Sequence, residues 1–339
     1  MPEREPRANE LSRINTNRRL PIAVPSMTET VNNQVEAKEI STALQVEQLD
    51  SNLFRSKSLW LPRRARGVFG GQVISQALVS ATNCVDPAFG LHSLHCYFLL
   101  SASPAIPIIY HVDRVREGRS YVTRAVRAVQ KGRTIFVMLC SFQKPEPRQP
   151  TYQWPMPKNV PSPNECDPIE AYYARLSQDP NIHPKVKEYC DEYVQDRTES
   201  PLHIRDAGTD ISADGRKTYM YWYKVKNLSE TNPSFQKCIL SYISDSHFIG
   251  AAAKTLGMNR LRKQDSKRLG MLSTLDHSIW FYDDNFDCGD WILYVVSSSR
   301  IGSGRGVVHG RMYTPSGSLV AVLSQEGVLR ADIKDQSKL

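Results

Sequence analysis

The sequence lacks the motifs that identify several common enzyme classes. It contains no Gly-x-Ser-x-Gly motif, which disfavours the serine nucleophile of an α/β-hydrolase. The glycine-rich residues 302–306 have neither the dinucleotide-binding nor the P-loop spacing. His92 and His95 are three residues apart in a predicted strand, so they should point to opposite faces and form a poor metal pair. The sequence therefore indicates no nucleotide cofactor and no metal.

Paired cysteines and long apolar runs are also missing. The 7 cysteines are widely spread without a Cys-x-x-Cys pair, which favours a reducing compartment. No apolar run is long enough to cross a bilayer, and the N-terminal residues contain no secretory signal. The net charge of +8 is dispersed, and no nucleic-acid-binding motif is present. With 40% hydrophobic residues among 339, the composition predicts a globular protein with no nucleic-acid partner and no membrane span.

The two ends of the chain differ in composition from its middle. Residues 1–39 are polar without a sustained period, which predicts a disordered N-terminal extension. Residues 333–339 form a polar tail that closes with Ser337, Lys338 and Leu339, the three-residue signal read by the peroxisomal import receptor. The tail predicts that the protein lies in the peroxisomal matrix and that the import receptor is a partner.

Residues 233–257 have the period of one buried helix that contains an acid. Cys238, Tyr242, Asp245, Ile249 and Ala252 follow one another at spacings of four and three, so they share one helix face. A carboxylate on an apolar face must be paired, hydrogen-bonded or protonated, because leaving it bare is unfavourable. The spacing leaves two interpretations open. Either the acid is functional, or the helix breaks near Ser244 and Asp245 caps its second part.

The middle of the chain shows one pattern twice, a helix followed by consecutive long strands. Such a pattern predicts an antiparallel sheet wrapped around a central helix. The predicted domains are residues 40–148, a linker at 149–204 and a second domain at 205–332. The predicted helices are at residues 70–83, 169–176, 184–194 and 233–257, and the predicted strands are at 91–100, 106–116, 121–130, 134–143, 216–225, 272–281, 291–299, 305–314 and 318–329.

The two halves also match locally, which indicates an internal duplication. Residues 93–98 resemble 275–280, and residues 118–122 resemble 304–308. This places His95 and His277 in matching positions, which favours a structural role for both. Asp245 falls opposite Gly71 or Gln72 in the first half, so only the second half carries the acid. Gly70 and Gly71 begin a predicted helix, where their N–H groups suit an anion and their small size suits tight packing equally well.

Eight short segments carry a resemblance to one family. They are residues 68–72, 92–98, 108–110, 118–120, 141–143, 242–248, 275–278 and 325–327. In residue identity and in order along the chain they resemble the motifs of the type II acyl-CoA thioesterases, over about residues 46–329. The resemblance implies an α+β double hotdog fold and hydrolysis of acyl-CoA to fatty acid and CoA. It also implies a catalytic trio of Asp245, Thr274 and Gln325, with Gly70 and Gly71 as candidate substrate-binding residues. Residues 99–103 depart from the family pattern, in which many relatives have an Arg and then a Gly-Asp turn.

Several alternatives stay open at this point. Taken singly, Thr274 could be an ordinary strand threonine and Gln325 an amide that caps the last strand. A hotdog hydratase acting on enoyl-CoA would use an Asp and His pair, but Asp245 and His247 are two residues apart and badly oriented on a helix. A non-catalytic acyl-CoA-binding module is the third alternative. The preferred acyl chain length and the oligomeric state, a homo-oligomer included, are left open.

Overall fold

The computed structural model describes residues 39–229, 232–260 and 268–332. All of these residues belong to the unit Asn33–Leu339. Residues 1–38 of the predicted N-terminal extension lie outside the described residues, as does the predicted tail with Ser337, Lys338 and Leu339. Within the described ranges, no helix is both long enough and apolar enough to span a membrane.

The first half of the chain contains one long helix and six strands. Its elements are α1 (Ile40–Ala43), β1 (Val46–Asp50), β2 (Leu53–Ser56), α2 (Gly70–Thr82), β3 (Gly90–Phe98), β4 (Ile109–Glu117), β5 (Tyr121–Gln130) and β6 (Arg133–Gln143). The strands alternate between faces as the sequence predicts. In β5, Val122, Val126 and Ala128 are buried at intervals of two or four residues, so this face packs against the core.

The second half repeats this arrangement after a helical connection. The connection contains α3 (Ile169–Ser177) and α4 (Pro184–Glu199). The elements that follow are β7 (Leu202–Ile211), β8 (Lys217–Val225), α5 (Pro233–Ser244), α6 (Gly250–Thr255), β9 (Leu269–Thr274), β10 (Asp276–Phe281), β11 (Ile292–Gly302), β12 (Arg305–Tyr313) and β13 (Leu319–Ala331). The first strand of this half, β7, thus begins three residues inside the region predicted as a linker.

All the strands named above belong to one sheet whose order is mirrored about its middle. The order is β1-β2-β4-β5-β6-β3-β10-β13-β12-β11-β8-β7, with β9 paired to β13 on the side. β3 and β10 pair antiparallel and join the halves, with Ser278 opposite His95. Outward from this junction, β6, β5, β4, β2 and β1 correspond to β13, β12, β11, β8 and β7. The mirrored order supports the predicted internal duplication.

The two central helices α2 and α5 pack against each other in opposite directions. Ser75 Oγ donates to the carbonyl oxygen of Cys238 at 2.8 Å near their crossing. A Cβ added at Gly71 would lie only 2.5 Å from the carbonyl oxygen of Tyr242, so the first turn of α2 approaches the last turn of α5 very closely. Both helices are buried on most sides, because each lies between its own half of the sheet and the other helix.

The helix predicted at residues 233–257 is broken where the sequence analysis allowed a break. α5 ends at Ser244, Asp245 is its C-cap residue, and α6 begins only at Gly250. His247, within the connection, has a positive φ of 58°, which turns the chain out of the helix. The proposed capping role of Asp245 is wrong, because the N-cap residue of α6 is Ile249 and has no side-chain cap.

One further predicted strand needs correction, and three strands were not predicted. The strand predicted at 272–281 is divided at Leu275 into β9 and β10, since Leu275 N–H donates to Glu326 while its carbonyl oxygen accepts from Phe98. The strands β1, β2 and β7 had no predicted counterpart. β1 and β2 are short, and β7 has a register shift between Asp206 and Thr209, so none of the three shows a long alternation.

The residue-by-residue matching of the halves is also corrected. His95 is exposed on the outer face of the sheet, whereas His277 is fully buried on the inner face, so the two histidines are not equivalent. Asp245 is the C-cap residue of α5, and the C-cap residue of α2 is Asn83. By position in the helix Asp245 therefore corresponds to Asn83, while Gly70 and Gly71 lie across from it in space.

Candidate active site

The structure brings Asp245, Thr274 and Gln325 together from three different elements. Asp245 Oδ1 accepts hydrogen bonds from Gln325 Nε2 at 2.7 Å and from Thr274 Oγ1 at 3.3 Å. Thr274 is the last residue of β9 and pairs with Gly327 of β13, two residues from Gln325. Because residues two apart in a strand share a face, Thr274 and Gln325 both reach the carboxylate at the end of α5.

The first turn of α2 forms the other side of this site. A Cβ added at Gly70 would lie 2.5 Å from Asp245 Oδ2 and 3.0 Å from Phe98 Cζ. The backbone N–H of Gly71 donates to the Asp245 carboxylate. The positive end of the α2 dipole therefore faces the acid, and the absence of side chains at both glycines permits the approach.

Aromatic rings surround the same place. Phe69, which precedes α2, packs edge-on against Tyr242 of α5 with ring centroids 4.9 Å apart, and against Trp60 at 5.6 Å. Phe98 at the end of β3 packs against Phe136 of β6 with centroids 5.1 Å apart. The carboxylate thus lies next to an apolar wall of a kind that can contact an acyl group.

The surroundings of Asp245 change its acidity. Burial raises the pKa of its carboxyl from 3.8 to about 6. The hydrogen bonds from Gln325, Thr274 and Gly71 lower this pKa, but their effect is smaller than that of burial. The side chain is only partly buried, so it keeps an approach for solvent. At neutral pH the group is mostly ionised yet far more basic than an exposed aspartate, which are the properties of a general base.

His277 is a functional candidate that the sequence analysis treated as structural. Its Nδ1 lies 3.0 Å from Gln325 Nε2, and its Nε2 lies 2.9 Å from Ser244 Oγ. Both His277 and Gln325 are 0% exposed. Among the described residues, Gln325 Oε1 has no hydrogen-bond partner. The sequence signal was the position of His277 three residues after Thr274 in the segment Ser-Thr-Leu-Asp-His, since side chains so close in the chain can enter the same cluster.

The mirrored end of the helix pair is filled by a buried lysine. Lys237, near the start of α5, is buried, donates to the carbonyl oxygen of Leu91 at 2.7 Å and pairs with Asp284. Gln236 donates to Asp287 at 3.0 Å. Lys237 and Asp284 thus form an ion pair near the start of α5, the counterpart of the start of α2. Among residues 39–229, 232–260 and 268–332, the duplication therefore supplies one carboxylate cluster of the Asp245 kind.

The aspartate and histidine pair of a hydratase is not formed by Asp245 and His247. His247 lies among tyrosines, with Nδ1 2.9 Å from Tyr223 Oη and Nε2 3.2 Å from Tyr193 Oη. Its ring stacks on Tyr221 with centroids 5.4 Å apart. Burial lowers the pKa of His247 to about 3, so it stays neutral in this cluster.

Comparison with known proteins agrees with this geometry. Residues 58–143 match the family model described as acyl-CoA thioesterase N-terminal domain, and residues 163–329 match the acyl-CoA thioesterase C-terminal domain. Acyl-coenzyme A thioesterase 8 of mouse is 36% identical over 296 residues, which cover 86% of this chain and 88% of the mouse protein. The chain belongs to the acyl-CoA thioesterase family. The resemblance seen in the sequence is confirmed.

Two further members of the acyl-CoA thioesterase family extend the comparison. The crystal structure of an acyl-CoA thioesterase II from Mycobacterium marinum has a TM-score of 0.67 at 30% identity, covering 86% of this chain and 98% of that one. The peroxisomal acyl-coenzyme A thioester hydrolase 1 of Saccharomyces cerevisiae is 24% identical over 309 residues, which cover 78% of this chain and 86% of the yeast protein. The tandem family match and the mirrored sheet confirm the predicted α+β double hotdog fold.

Replacing Gly70 with alanine tests the close approach of α2 to the acid in this thioesterase-family site. The added Cβ would displace the Asp245 carboxylate, so we expect turnover of acyl-CoA to fall roughly 10- to 100-fold while the fold is retained. Gly250→Ala is the matched control, because Gly250 is also the first residue of a helix and its Cβ would meet no atom within 4 Å. Equal activity of both variants would contradict the assigned contact.

The raised pKa of Asp245 also predicts a pH-dependent stability. Because the folded pKa of about 6 lies above the unfolded value of 3.8, the stabilising contribution of this group is present below pH 4 and lost as pH rises through 6. Asp245→Asn removes the buried charge, so above pH 6 it should raise the free energy of unfolding by about 1–3 kcal/mol. Urea unfolding at pH 4.5 and 7.5 measures this, and a variant that is less stable than the wild type at pH 7.5 contradicts it.

Proposed function

We propose that this protein hydrolyses fatty acyl-CoA thioesters to free fatty acid and CoA. Membership of the acyl-CoA thioesterase family supports the substrate class. The observation that carries the proposal is the Asp245 carboxylate, raised in pKa and held by Thr274 and Gln325 beside the glycines of α2. These groups suit the activation of a water molecule against a carbonyl carbon.

In the proposed reaction, Asp245 accepts a proton from water as the water oxygen bonds to the thioester carbonyl carbon. The carbon–sulfur bond of the resulting tetrahedral intermediate then breaks, and the proton passes to the CoA sulfur, which leaves as the thiol. Thr274 and Gln325 orient the water and the carboxylate by hydrogen bonds. Water is the simplest nucleophile, since the sequence has no serine elbow and its cysteines are buried.

The first turn of α2 is the proposed site for the carbonyl oxygen. The N–H of Gly71 is directed at Asp245, so it serves the acid. Gly70 is the first residue of α2, and such a residue has no carbonyl partner inside its own helix. We assign the N–H of Gly70 as the donor that stabilises negative charge on the carbonyl oxygen, with the α2 dipole behind it.

The two alternatives receive less support from the structure. A hydratase needs an acid and histidine pair, and His247 is bonded to Tyr223 and Tyr193 away from Asp245. A non-catalytic binding module has no need for a partly buried carboxylate with a pKa near 6, because that group is costly to bury. Release of free thiol from an acyl-CoA, followed with a thiol reagent, separates an enzyme from a binding module.

Asp245→Asn keeps the shape of the side chain but removes the base, so it should reduce the rate of thiol release by about 10²–10⁴-fold. Binding of a non-hydrolysable acyl-CoA analogue should change little. Thr274→Ala and Gln325→Ala should slow the same step, and their losses should not add to that of Asp245→Asn, because the three act as a unit.

The control for these variants is their thermal unfolding, which shows that each is folded. Near-normal turnover by folded Asp245→Asn would remove the acid from the mechanism. Thiol release that is absent from the wild type across acyl-CoAs of different chain length would instead favour the binding module.

We also propose that the protein is imported into the peroxisomal matrix by the receptor that reads Ser337, Lys338 and Leu339. The tripeptide has the small, basic and leucine positions of this signal. A yeast relative is named as a peroxisomal acyl-CoA thioester hydrolase, which agrees with this location.

Removal of Leu339 should abolish import without affecting the fold, since the receptor requires the terminal leucine. The measurement is the distribution of N-terminally tagged fluorescent fusions of the full chain and of the shortened chain in cells with a marked peroxisome. If both fusions concentrate equally in peroxisomes, the signal lies elsewhere in the chain or the protein enters with a partner.

A further inference from the structure

We propose that His277 is a positioning residue that fixes the orientation of the Gln325 side-chain amide. In this orientation Nε2 faces Asp245, and Oε1 is left as the acceptor for a hydrogen of the attacking water. The inference rests on the proposed thioester hydrolysis for its functional meaning, but the orientation itself is a property of the structure.

The hydrogen-bond geometry determines which atom of the amide lies where. The amide nitrogen of Gln325 has two hydrogens, and its two acceptors are Asp245 Oδ1 at 2.7 Å and His277 Nδ1 at 3.0 Å. For Nδ1 to accept, the imidazole must be neutral and carry its hydrogen on Nε2. Both amide hydrogens are then used, while Oε1 is buried without a partner among the described residues.

The other side of the imidazole requires the same tautomer. Ser244 Oγ donates to the carbonyl oxygen of Ser241 at 2.7 Å, so its single hydrogen is already used. His277 Nε2, 2.9 Å from Ser244 Oγ, must therefore donate to it. The ring is also held by Phe248, which packs edge-on with centroids 5.5 Å apart. His277 is thus fixed in position and in tautomer before any substrate binds.

A neutral acceptor at this place prevents reversal of the amide. Turning the Gln325 amide by half a rotation hardly changes its shape, but it would place Oε1 against the lone pair of His277 Nδ1 and against Asp245 Oδ1. When Asp245 is protonated, its carboxyl no longer disfavours the reversed amide. Only the lone pair of His277 Nδ1 then does so. His277 therefore keeps a donor on the carboxylate and favours its ionised form.

Asp245 is the group of this cluster that changes charge near neutral pH. Two titratable groups on neighbouring strands of the described residues, Cys96 of β3 and Tyr294 of β11, interact with its charge, and His277 of β10 contacts its partner Gln325. Burial lowers the pKa of His277 to about 3 and raises the pKa of the Cys96 thiol and the Tyr294 hydroxyl. All three stay neutral between pH 5 and 8, so a shifted acid limb in the rate profile reports on Asp245.

A matched pair of substitutions separates the two contacts of His277. In His277→Asn the side-chain amide oxygen takes the place of Nδ1 and can still accept from Gln325. In His277→Gln the side-chain amide takes the place of Nε2, so it retains a partner for Ser244 but none for Gln325. Both variants have similar size and polarity, and they differ in whether the contact with Gln325 is kept.

We expect kcat for thiol release to fall roughly 10- to 100-fold in His277→Gln, with the acid limb of kcat/KM moved to higher pH and KM little changed. His277→Asn should keep both kcat within a few-fold and the acid limb of the wild type. His95→Gln on the outer face is the control and should behave as the wild type. Equal losses in both His277 variants with unmoved acid limbs would overturn the proposal, and so would normal kcat in both.

The orientation can also be measured without catalysis. Nitrogen-15 NMR of labelled wild-type protein should show His277 neutral with its hydrogen on Nε2, and carbon-13 NMR should give the same Asp245 titration in the wild type and His277→Asn. In His277→Gln the Asp245 titration should move upward. A hydrogen on Nδ1 contradicts the proposal even if thiol release is normal. Absence of thiol release from the wild type, with the expected NMR result, would instead contradict the proposed function and leave the orientation intact.

Discussion

The site depends on how closely two antiparallel helices approach where one begins and the other ends. The first turn of α2 can lie against the end of α5 only because residues 70 and 71 are glycines, and a Cβ at either would lie 2.5 Å from Asp245 or Tyr242. This contact brings the positive end of the α2 dipole to the carboxylate of Asp245, the C-cap residue of α5. Without it, Asp245 would lose the Gly71 N–H and the helix dipole, and only Gln325 and Thr274 would offset its burial.

Duplication explains why such a contact exists, and divergence explains why it exists at one end. Gln72 near the start of α2 and Gln236 near the start of α5 have equivalent contacts. The amide oxygen of Gln72 accepts from the backbone N–H of Trp60, and that of Gln236 accepts from the backbone N–H of Cys288. Beyond these glutamines the halves differ. In the second half the next residue, Lys237, is buried, donates to the Leu91 carbonyl oxygen and pairs with Asp284. The two ends of the helix pair thus carry a candidate catalytic acid, Asp245, and a buried lysine, Lys237.

The sequence predicts the sheet well where a regular strand runs for nine or more residues, and it predicts Asp245, Thr274 and Gln325 through family motifs. It does not decide whether the helix ends near Ser244, because the apolar period of Tyr242, Asp245 and Ile249 continues through a turn that one residue with positive φ produces. The short or bulged strands β1, β2 and β7 have too little alternation to be recognised. The sequence did not indicate His277 as a candidate, because its segment resembles that around His95 although the two side chains face opposite sides of the sheet.

The neutrality of His277 matters for the strength of the base. Burial shifts the pKa of Asp245 up to about 6 and that of His277 down to about 3, so at neutral pH the cluster contains an anion and no cation. A charged imidazolium at this distance would stabilise the carboxylate and return its pKa toward that of an exposed acid, which would make it a weaker base. Neutral donors from Gln325, Thr274 and Gly71 hold the anion with less effect on its basicity. A carboxylate that must take a proton from water is therefore better held by an amide, a hydroxyl and a helix end than by an ion pair.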